Sequence, residues 1–148
     1  MGVHIPSPFC PACSTADESL DHLFLHCTTT NFVMAYLRAK WSKFPDLNRC
    51  RNIEELVVGG SDQTWSEEDK IKYVVMIRAF LWIIWCNRNA VRFQGKIKTA
   101  PILGSKVLLT SSLWLRTRSK LHREDICCFC FAVCFASSLL LLYILASR

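Results

Sequence analysis

The chain has 148 residues, of which 51% are hydrophobic. It is therefore the size of one ordinary domain and is large enough to fold without a metal ion. Its net charge of +6 is unevenly distributed, because every acidic residue lies before Lys70 or at Glu124 and Asp125. The stretch from Lys70 to Arg123 holds twelve basic residues and no acidic one, which favours a polyanion or an anionic surface as partner, although solvated helix faces also carry such charge.

Nine cysteines would fit a disulfide framework in a secreted chain, but the N-terminus has neither a basic leader nor the apolar segment that directs secretion. We therefore expect a protein that is not secreted and that works in a reducing compartment. In that compartment, the three cysteines among the first 27 residues are expected to be metal ligands. The four in the apolar tail are expected to be small buried hydrophobes.

The first element is a Cys/His-rich head, in which Cys10 and Cys13 form a C-x2-C pair that His22 and Cys27 follow. Two thiolates at this spacing can approach one metal ion from a tight turn, and a second pair of ligands completes a tetrahedral shell. The residue types are those that zinc prefers, so the sequence predicts a Zn²⁺ site. Protein ligands would fill all four positions, which is typical of a structural site and not of a catalytic one.

The helix predicted over residues 18–26 raises a question about the second ligand pair. On a regular α-helix, positions five residues apart are rotated by about 140°, so His22 and Cys27 share a face only if the last turn tightens or the helix ends. We therefore expect the helix to stop at Cys27. The alternative fourth ligand is His26, which lies four residues after His22 on the same face; Cys27 would then be a buried thiol only.

The next helix is predicted from Phe32 to Trp41, ending before Pro45, and a glycine-rich loop follows at residues 59–62. A further helix is predicted much later, from Lys106 to Leu121, after two residues that break helices. Between the loop and that helix lies the longest periodic segment of the chain.

This long helix is predicted from Ser66, a good N-cap followed by three acidic residues, to Gly95, a residue that suits a helix C-terminus. Its run from Val74 to Cys86 is apolar almost all round but too short to span a bilayer, so we expect a buried core helix. Three- and four-residue spacing predicts the apolar face. Its members are Ile71, Val74, Val75, Arg78, Leu81, Trp82 and Trp85.

The tail contains 21 uncharged residues, 126–146, a length that matches the hydrocarbon core of a bilayer. A C-terminal transmembrane helix is therefore a candidate, and the basic residues before it would keep the rest of the chain cytoplasmic. Cys127 and Cys128 would then be juxtamembrane palmitoylation sites or free buried thiols. Alternatively, the tail is encoded by a degenerate coding region and has no selected function. Its length shows only that it is long enough to span a bilayer.

Together these patterns predict a mostly α fold, in which a small zinc-stabilised N-terminal module is followed by helices and by a C-terminal apolar helix. Four segments are predicted. They are a zinc-binding head at 1–30, a helix and loop connection at 31–64, a basic helical segment at 65–123, and an apolar tail at 124–148 that is a candidate transmembrane helix.

The head carries a family resemblance in its Cys/His spacing and in the residues between the ligands. These residues are Cys10-Pro-Ala-Cys13, Glu18, His22-Leu-Phe24 and Cys27. They resemble the zinc-binding region that lies downstream of the reverse transcriptase in plant LINE-type (non-LTR) retrotransposon polyproteins. The resemblance implies that the Cys and His residues are the metal ligands and that Glu18 and Phe24 support the fold.

A second block is similar to the Trp, Arg-Asn and Phe signature that follows the finger in those polyproteins. It runs from Trp82 to Phe93 and contains Arg88-Asn89. The resemblance covers about residues 3–120. Two departures, Met34 in place of a usual Trp and a start almost at the finger, lead us to expect an N-terminally truncated, degenerate copy of a retroelement.

The expected function is non-catalytic. The chain has no Tyr-x-Asp-Asp motif, no acidic cluster for two-metal chemistry and no Gly-rich phosphate loop, so we expect neither an enzyme nor a small-molecule substrate. The resemblance implies that the module binds nucleic acid, RNA or DNA, and the basic stretch permits this. The residues expected to contact phosphates are Lys96, Lys98, Arg116, Arg118 and Lys120.

Two alternatives to nucleic-acid binding stay open. One is a tail-anchored membrane protein that inserts residues 126–146 and whose basic segment meets anionic lipid. The other is a retroelement remnant without activity. The expected location is a membrane if the tail inserts, and otherwise the nucleus or the cytoplasm.

Overall fold

The structure, a computed structural model, describes the backbone of residues 8–46, 50–58 and 64–120, and the side chains of these residues except Val58 and 118–120. The described residues are mostly helical, which confirms the predicted fold class for this part of the chain. Their only strand-like pairing is an isolated antiparallel bridge between Phe9 and Asp17. The predicted loop at residues 59–62 and the predicted C-terminal apolar helix lie outside the described residues.

The first α-helix, α1, spans Thr28–Lys40 and follows directly on a π-helical turn at His22–His26. It begins four residues before the predicted start at Phe32, because Cys27 has an extended backbone and serves as the N-cap. The C-cap is Trp41, where the prediction placed the end of the helix. One face of α1 packs into the core. Its buried residues are Thr30, Val33, Met34 and Leu37.

A short helix, α2, spans Ile53–Val58 and was not predicted. The signal was Asn52 followed three residues later by Glu55, the pattern of a capping box. The Asn52 side-chain oxygen accepts a hydrogen bond from the Glu55 amide at 2.9 Å. The Glu55 carboxylate in turn accepts one from the Arg51 amide at 2.8 Å. Leu56 is fully buried, and its carbonyl accepts a 2.7 Å hydrogen bond from the Tyr73 hydroxyl.

The long helix, α3, spans Glu67–Gln94 and has both predicted ends. The Ser66 hydroxyl accepts a hydrogen bond from the Asp69 amide at 3.2 Å, which satisfies one of the four free N–H groups of the first turn. Gly95 has a φ of 63°, in the left-handed region, and its amide donates to the Val91 carbonyl at 3.0 Å. The sequence therefore defines the boundaries of this helix well.

The predicted apolar face of α3 is wrong. Val74 and Trp82 are exposed, and the other predicted members are only half-buried. The buried face lies two positions further along the helix, a rotation of about 160°, so it is nearly opposite the predicted face. Because the middle of α3 is apolar almost all round, spacing alone did not identify the side that packs. The residues that pack are Tyr73, Met76, Ile77, Ala79, Phe80, Ile84 and Asn87.

The last described helix, α4, spans Ala100–Lys120 and begins six residues before the predicted start at Lys106. Pro101 does not break it, since a proline in the first turn has no N–H to leave unpaired. Gly104 lies so close to the Tyr36 ring of α1 that a Cβ at this position would clash with Cδ1 of the ring. Both helix breakers are therefore accommodated inside the helix.

An aromatic cluster holds the start of α3 against the end of α1. Ring centroids lie 6.1 Å apart for Trp41 and Trp65, 5.6 Å for Trp65 and Tyr73, and 6.1 Å for Phe44 and Phe80. Edge-on and tilted pairs at these distances stabilise a core beyond the area that they bury. This cluster and the buried face of α3 form the part of the core that lies away from the cysteines.

The described residues up to Ser111 form one compact unit, and residues 112–120 belong to a second. The four segments predicted from composition stay a prediction. By length and composition, α3 passes the test for a membrane-spanning helix, which the core helix of a soluble protein also passes.

Candidate metal centre

A tight turn closed by backbone hydrogen bonds carries Cys10 and Cys13. The Ser14 amide donates to the Cys10 carbonyl at 2.7 Å, and the Cys10 amide donates to the Ala16 carbonyl at 2.8 Å. Ser14 has a φ of 58°, which a non-glycine residue adopts rarely and which turns the chain back after the second thiol. The isolated β-bridge closes the base of the loop. These backbone contacts hold the two cysteines close together.

The other two predicted ligands, His22 and Cys27, lie at the ends of the π-helical turn. The Cys27 amide donates to the His22 carbonyl, five residues back, at 2.6 Å, and the chain then becomes extended. The predicted end of the helix at Cys27 is confirmed. The turn widens instead of tightening, and a wider turn brings positions five residues apart closer to one face. Its three central residues, Leu23, Phe24 and Leu25, are buried and fix it in place.

The structure brings Cys10, Cys13, His22 and Cys27 together, with one ligand atom of each within 4.8 Å of all the others. The sulfurs of Cys10 and Cys27 are 3.9 Å apart. A tetrahedral ion with metal–sulfur bonds of about 2.3 Å needs a sulfur–sulfur edge of about 3.8 Å, so this pair already has the required spacing. Cys13 Sγ and His22 Nε2 are 3.2 Å apart, within hydrogen-bond distance. The group can hold a metal ion.

The alternative fourth ligand, His26, is exposed and is not part of this cluster. The widened turn explains why: it brings Cys27, which is fully buried, to the position that a regular α-turn would give to His26. Cys50 and Cys86 are half-buried free thiols elsewhere in the described chain. Among the described residues, no other set of three or more Cys, His, Asp or Glu side chains converges in this way.

The two thiols of the C-x2-C pair have different electrostatic surroundings. Burial raises the pKa of Cys10 to about 12, although backbone N–H groups of the loop oppose this. Partial burial also acts to raise the pKa of Cys13, but hydrogen bonds from the Thr15 hydroxyl, the Thr15 amide and His22 outweigh it and lower the pKa to about 6. The Thr15 hydroxyl donates to Cys13 Sγ at 3.1 Å. Binding a metal must therefore displace a proton from Cys10, while Cys13 is already a thiolate at neutral pH.

An ion pair joins the head to α3. The Glu18 carboxylate accepts hydrogen bonds from Arg88 Nε at 2.7 Å and from an Arg88 terminal nitrogen at 2.6 Å, which is the bidentate geometry of a strong pair. Arg92 also donates to this carboxylate, at 2.9 Å. The three side chains are less than one-fifth exposed. Because Glu18 lies between Cys13 and His22 in the chain, the pair fixes the middle of the ligand-bearing segment.

The start of α1 ties the two halves of the cluster together. The Thr29 hydroxyl donates to the Ala12 carbonyl, in the C-x2-C loop, at 3.0 Å. The Thr30 hydroxyl donates to the Leu23 carbonyl, in the π-helical turn, at 2.7 Å. Neither threonine was predicted to support the site.

The residues expected to contact phosphates lie in two places. Lys96, exposed, and Lys98, half-buried, belong to the connection between α3 and α4. Arg116 is exposed on α4 in the second compact unit, where the backbone of Arg118 and Lys120 is also helical. These five residues do not form a described common site.

Arg92 is a supporting residue that the sequence analysis did not identify. The available signal was its position four residues after Arg88, which puts both guanidinium groups on one face of α3. Comparison of the chain with protein-family models, with curated proteins and with solved structures finds no match.

Proposed function

We propose that the protein is a non-catalytic, zinc-stabilised helical module that binds nucleic acid. The observation that supports the metal is the convergence of Cys10, Cys13, His22 and Cys27 to within 4.8 Å. Three sulfurs and one imidazole nitrogen are a donor set that zinc takes in structural sites. Magnesium and calcium require oxygen ligands instead.

A structural role follows from the completeness of this ligand shell. Four protein ligands satisfy tetrahedral zinc, so no position is left for a water molecule or a substrate. Cys10 and Cys27 are fully buried, which limits access from solvent. The role of the ion would be to hold the C-x2-C loop and the π-helical turn together, with the Glu18 ion pair joining this head to α3.

Zinc content tests the metal assignment. Metal analysis of the purified full chain should give one zinc per chain. His22→Asn and Cys27→Ser should lose it, whereas the matched controls His26→Asn and Cys50→Ser should retain it. Zinc that survives in Cys27→Ser but not in His26→Asn would make His26 the fourth ligand. A wild-type chain without zinc would overturn the proposal.

The charge distribution supports a nucleic-acid ligand. Several basic residues of the stretch from Lys70 to Arg123 serve the fold: Arg88 and Arg92 pair with Glu18, and Lys70 pairs with Glu67. Lys96 and Arg116 are exposed in regions whose sequence contains no acidic residue. Basic side chains placed in this way can neutralise phosphates and release bound counterions. The proposed contacts are Lys96, Lys98, Arg116, Arg118 and Lys120.

Filter binding of the zinc-loaded chain to RNA and DNA across a salt series tests the ligand. Affinity should fall steeply with salt, and Lys96→Ala with Lys98→Ala should reduce the slope by about one ion per lysine. Lys40→Ala, an exposed lysine outside the basic stretch, is the matched control and should leave the slope unchanged. A salt-independent affinity, or none, contradicts nucleic-acid binding but leaves the zinc assignment intact.

A further inference from the structure

The connection between α3 and α4 exposes large apolar side chains. Ile97 is 81% exposed and Phe93 is 73% exposed, the two highest values among the large hydrophobic residues that the structure describes. They lie on either side of Gly95, whose left-handed backbone turns the chain out of α3. Such exposure is unfavourable in water and marks an interaction site when several apolar residues are close together.

The exposed apolar surface continues along α4. Pro101, Ile102, Ser105, Lys106 and Leu109 line a shallow, mostly apolar groove. They recur at three- and four-residue spacing, so they belong to one helix face. Ile102 and Leu109 are at least half exposed. This face of α4 is therefore open to a partner.

One face of α3 borders this region. Trp82, Cys86 and Phe93 lie four and seven residues apart, within about 40° of one another around the helix. Trp82 is 43% exposed on this side of α3, and Phe93 lies at the C-terminal end of the helix, two residues before Gly95. Phe93 therefore belongs both to this side of α3 and to the exposed connection that leads into α4.

The charge of this region is positive. Lys96, Lys98 and Lys106 lie among the apolar residues, and no acidic residue occurs between Lys70 and Arg123 in the sequence. The ion pairs formed by the described residues do not include these three lysines. A surface that is both apolar and cationic fits the boundary of an anionic bilayer, where acyl chains and headgroup phosphates lie within a few ångströms of each other.

We infer that this docking surface binds the protein peripherally to anionic membranes. It consists of Trp82, Phe93, Ile97, Ile102 and Leu109 with Lys96, Lys98 and Lys106. The apolar groups enter the acyl boundary, the aromatic rings lie at headgroup level, and the lysines contact lipid phosphates. Phosphates of nucleic acid could explain the lysines but not the exposed aliphatic side chains. The inference does not rest on nucleic-acid binding, although a bilayer and nucleic acid would compete for Lys96 and Lys98.

The test is co-sedimentation of the zinc-loaded full chain with vesicles of phosphatidylcholine alone or with roughly one-third phosphatidylserine. Binding should be at least about tenfold stronger on the anionic vesicles and should weaken as salt is raised. Lys96→Ala with Lys98→Ala should weaken it by about tenfold or more. Ile97→Ser and Phe93→Ser should each weaken it by about five- to tenfold.

The matched control is Phe32→Ser, because Phe32 is 63% exposed on α1, outside the docking surface, and its replacement should leave vesicle binding unchanged. Circular dichroism of each variant should match the wild type, since no replaced residue is buried: Lys98 is half-buried and the others are exposed. Equal binding to neutral and anionic vesicles, or binding that none of the surface variants weakens, overturns the inference and points to residues 126–146. Loss of nucleic-acid binding in Phe93→Ser with vesicle binding intact overturns it in favour of nucleic acid.

Discussion

The head, residues 8–27, and the long helix α3 are held in place by different interactions. In the head, two of the five buried hydrophobic residues are the proposed ligands Cys10 and Cys27, and the backbone is a loop followed by a single widened turn. In α3, seven residues are buried along one face, and both helix ends are capped. The comparison teaches that the head depends on a few polar and metal-binding groups, whereas α3 depends on packing.

Metal removal should separate the two regions most strongly. A structural zinc ion contributes on the order of 10 kcal/mol to the folding of a small domain, so a chelator should unfold the head. Hydrogen exchange of the amides in residues 8–27 should become fast, while amides in the buried part of α3 keep most of their protection. Equal loss of protection in both regions would show that the chain folds as one cooperative unit and would refute the distinction.

Replacing Glu18 should break the connection between the two regions. Glu18→Gln leaves Arg88 and Arg92 mostly buried without a counter-charge, which should cost about 2–4 kcal/mol in the free energy of unfolding. Urea denaturation measures this change. Glu67→Gln removes an exposed pair with Lys70 and, as a control, should cost less than about 0.5 kcal/mol. A Glu18→Gln variant as stable as this control would mean that the ion pair contributes nothing.

Gly104→Ala tests packing in the helical region alone. The added Cβ would meet the Tyr36 ring, and the resulting strain should exceed the helix propensity that alanine gains, for a net loss of about 1–2 kcal/mol. Thermal unfolding measures the loss, and zinc content should not change. In a Tyr36→Ala background the strain is absent, so Gly104→Ala should no longer destabilise the protein and should instead stabilise it by up to about 1 kcal/mol of helix propensity. If Gly104→Ala is equally destabilising in the Tyr36→Ala background, the close approach of α1 and α4 does not cause the loss of stability.

Ser66→Ala should have the smallest effect. It removes the N-cap of α3 and should cost about 1 kcal/mol, as measured by thermal or urea unfolding. Ser66→Thr retains both the acceptor for the Asp69 amide and the donor to the Asp69 carboxylate, and should be nearly as stable as the wild type. A cost of several kcal/mol would indicate that Ser66 stabilises more than a helix end.

Local chemistry made the head and the helix ends predictable. The ligand set followed from residue types and spacing, and the ends of α3 followed from Ser66 and Gly95. The buried face of α3 was not predictable in this way, because the middle of the helix is apolar on all sides. Only tertiary contacts select Tyr73 and Phe80 for the core. The pairing of Glu18 with Arg92 is also a tertiary fact, since 74 positions separate the two residues.

The start of α4 was misplaced for an identifiable reason. Pro101 and Gly104 were interpreted as breakers, but the first lies in an N-terminal turn and the second provides room for Tyr36. The sequence predicted that the turn between His22 and Cys27 would tighten or end, whereas it widens into a π-helical turn, which is a rare geometry. Rarity is a poor guide where ligand positions constrain the backbone.

The π-helical turn also bears on which chain lengths the head tolerates. It contains one residue more than an α-helical turn needs to place two ligands on the same face. Deletion of the exposed His26 would bring His22 and Cys27 to the i and i+4 positions of a regular α-turn and would leave Leu23, Phe24 and Leu25 in sequence. A single-residue deletion at this point is therefore compatible with the ligand set, whereas the Cys10–Cys13 loop has no residue to spare.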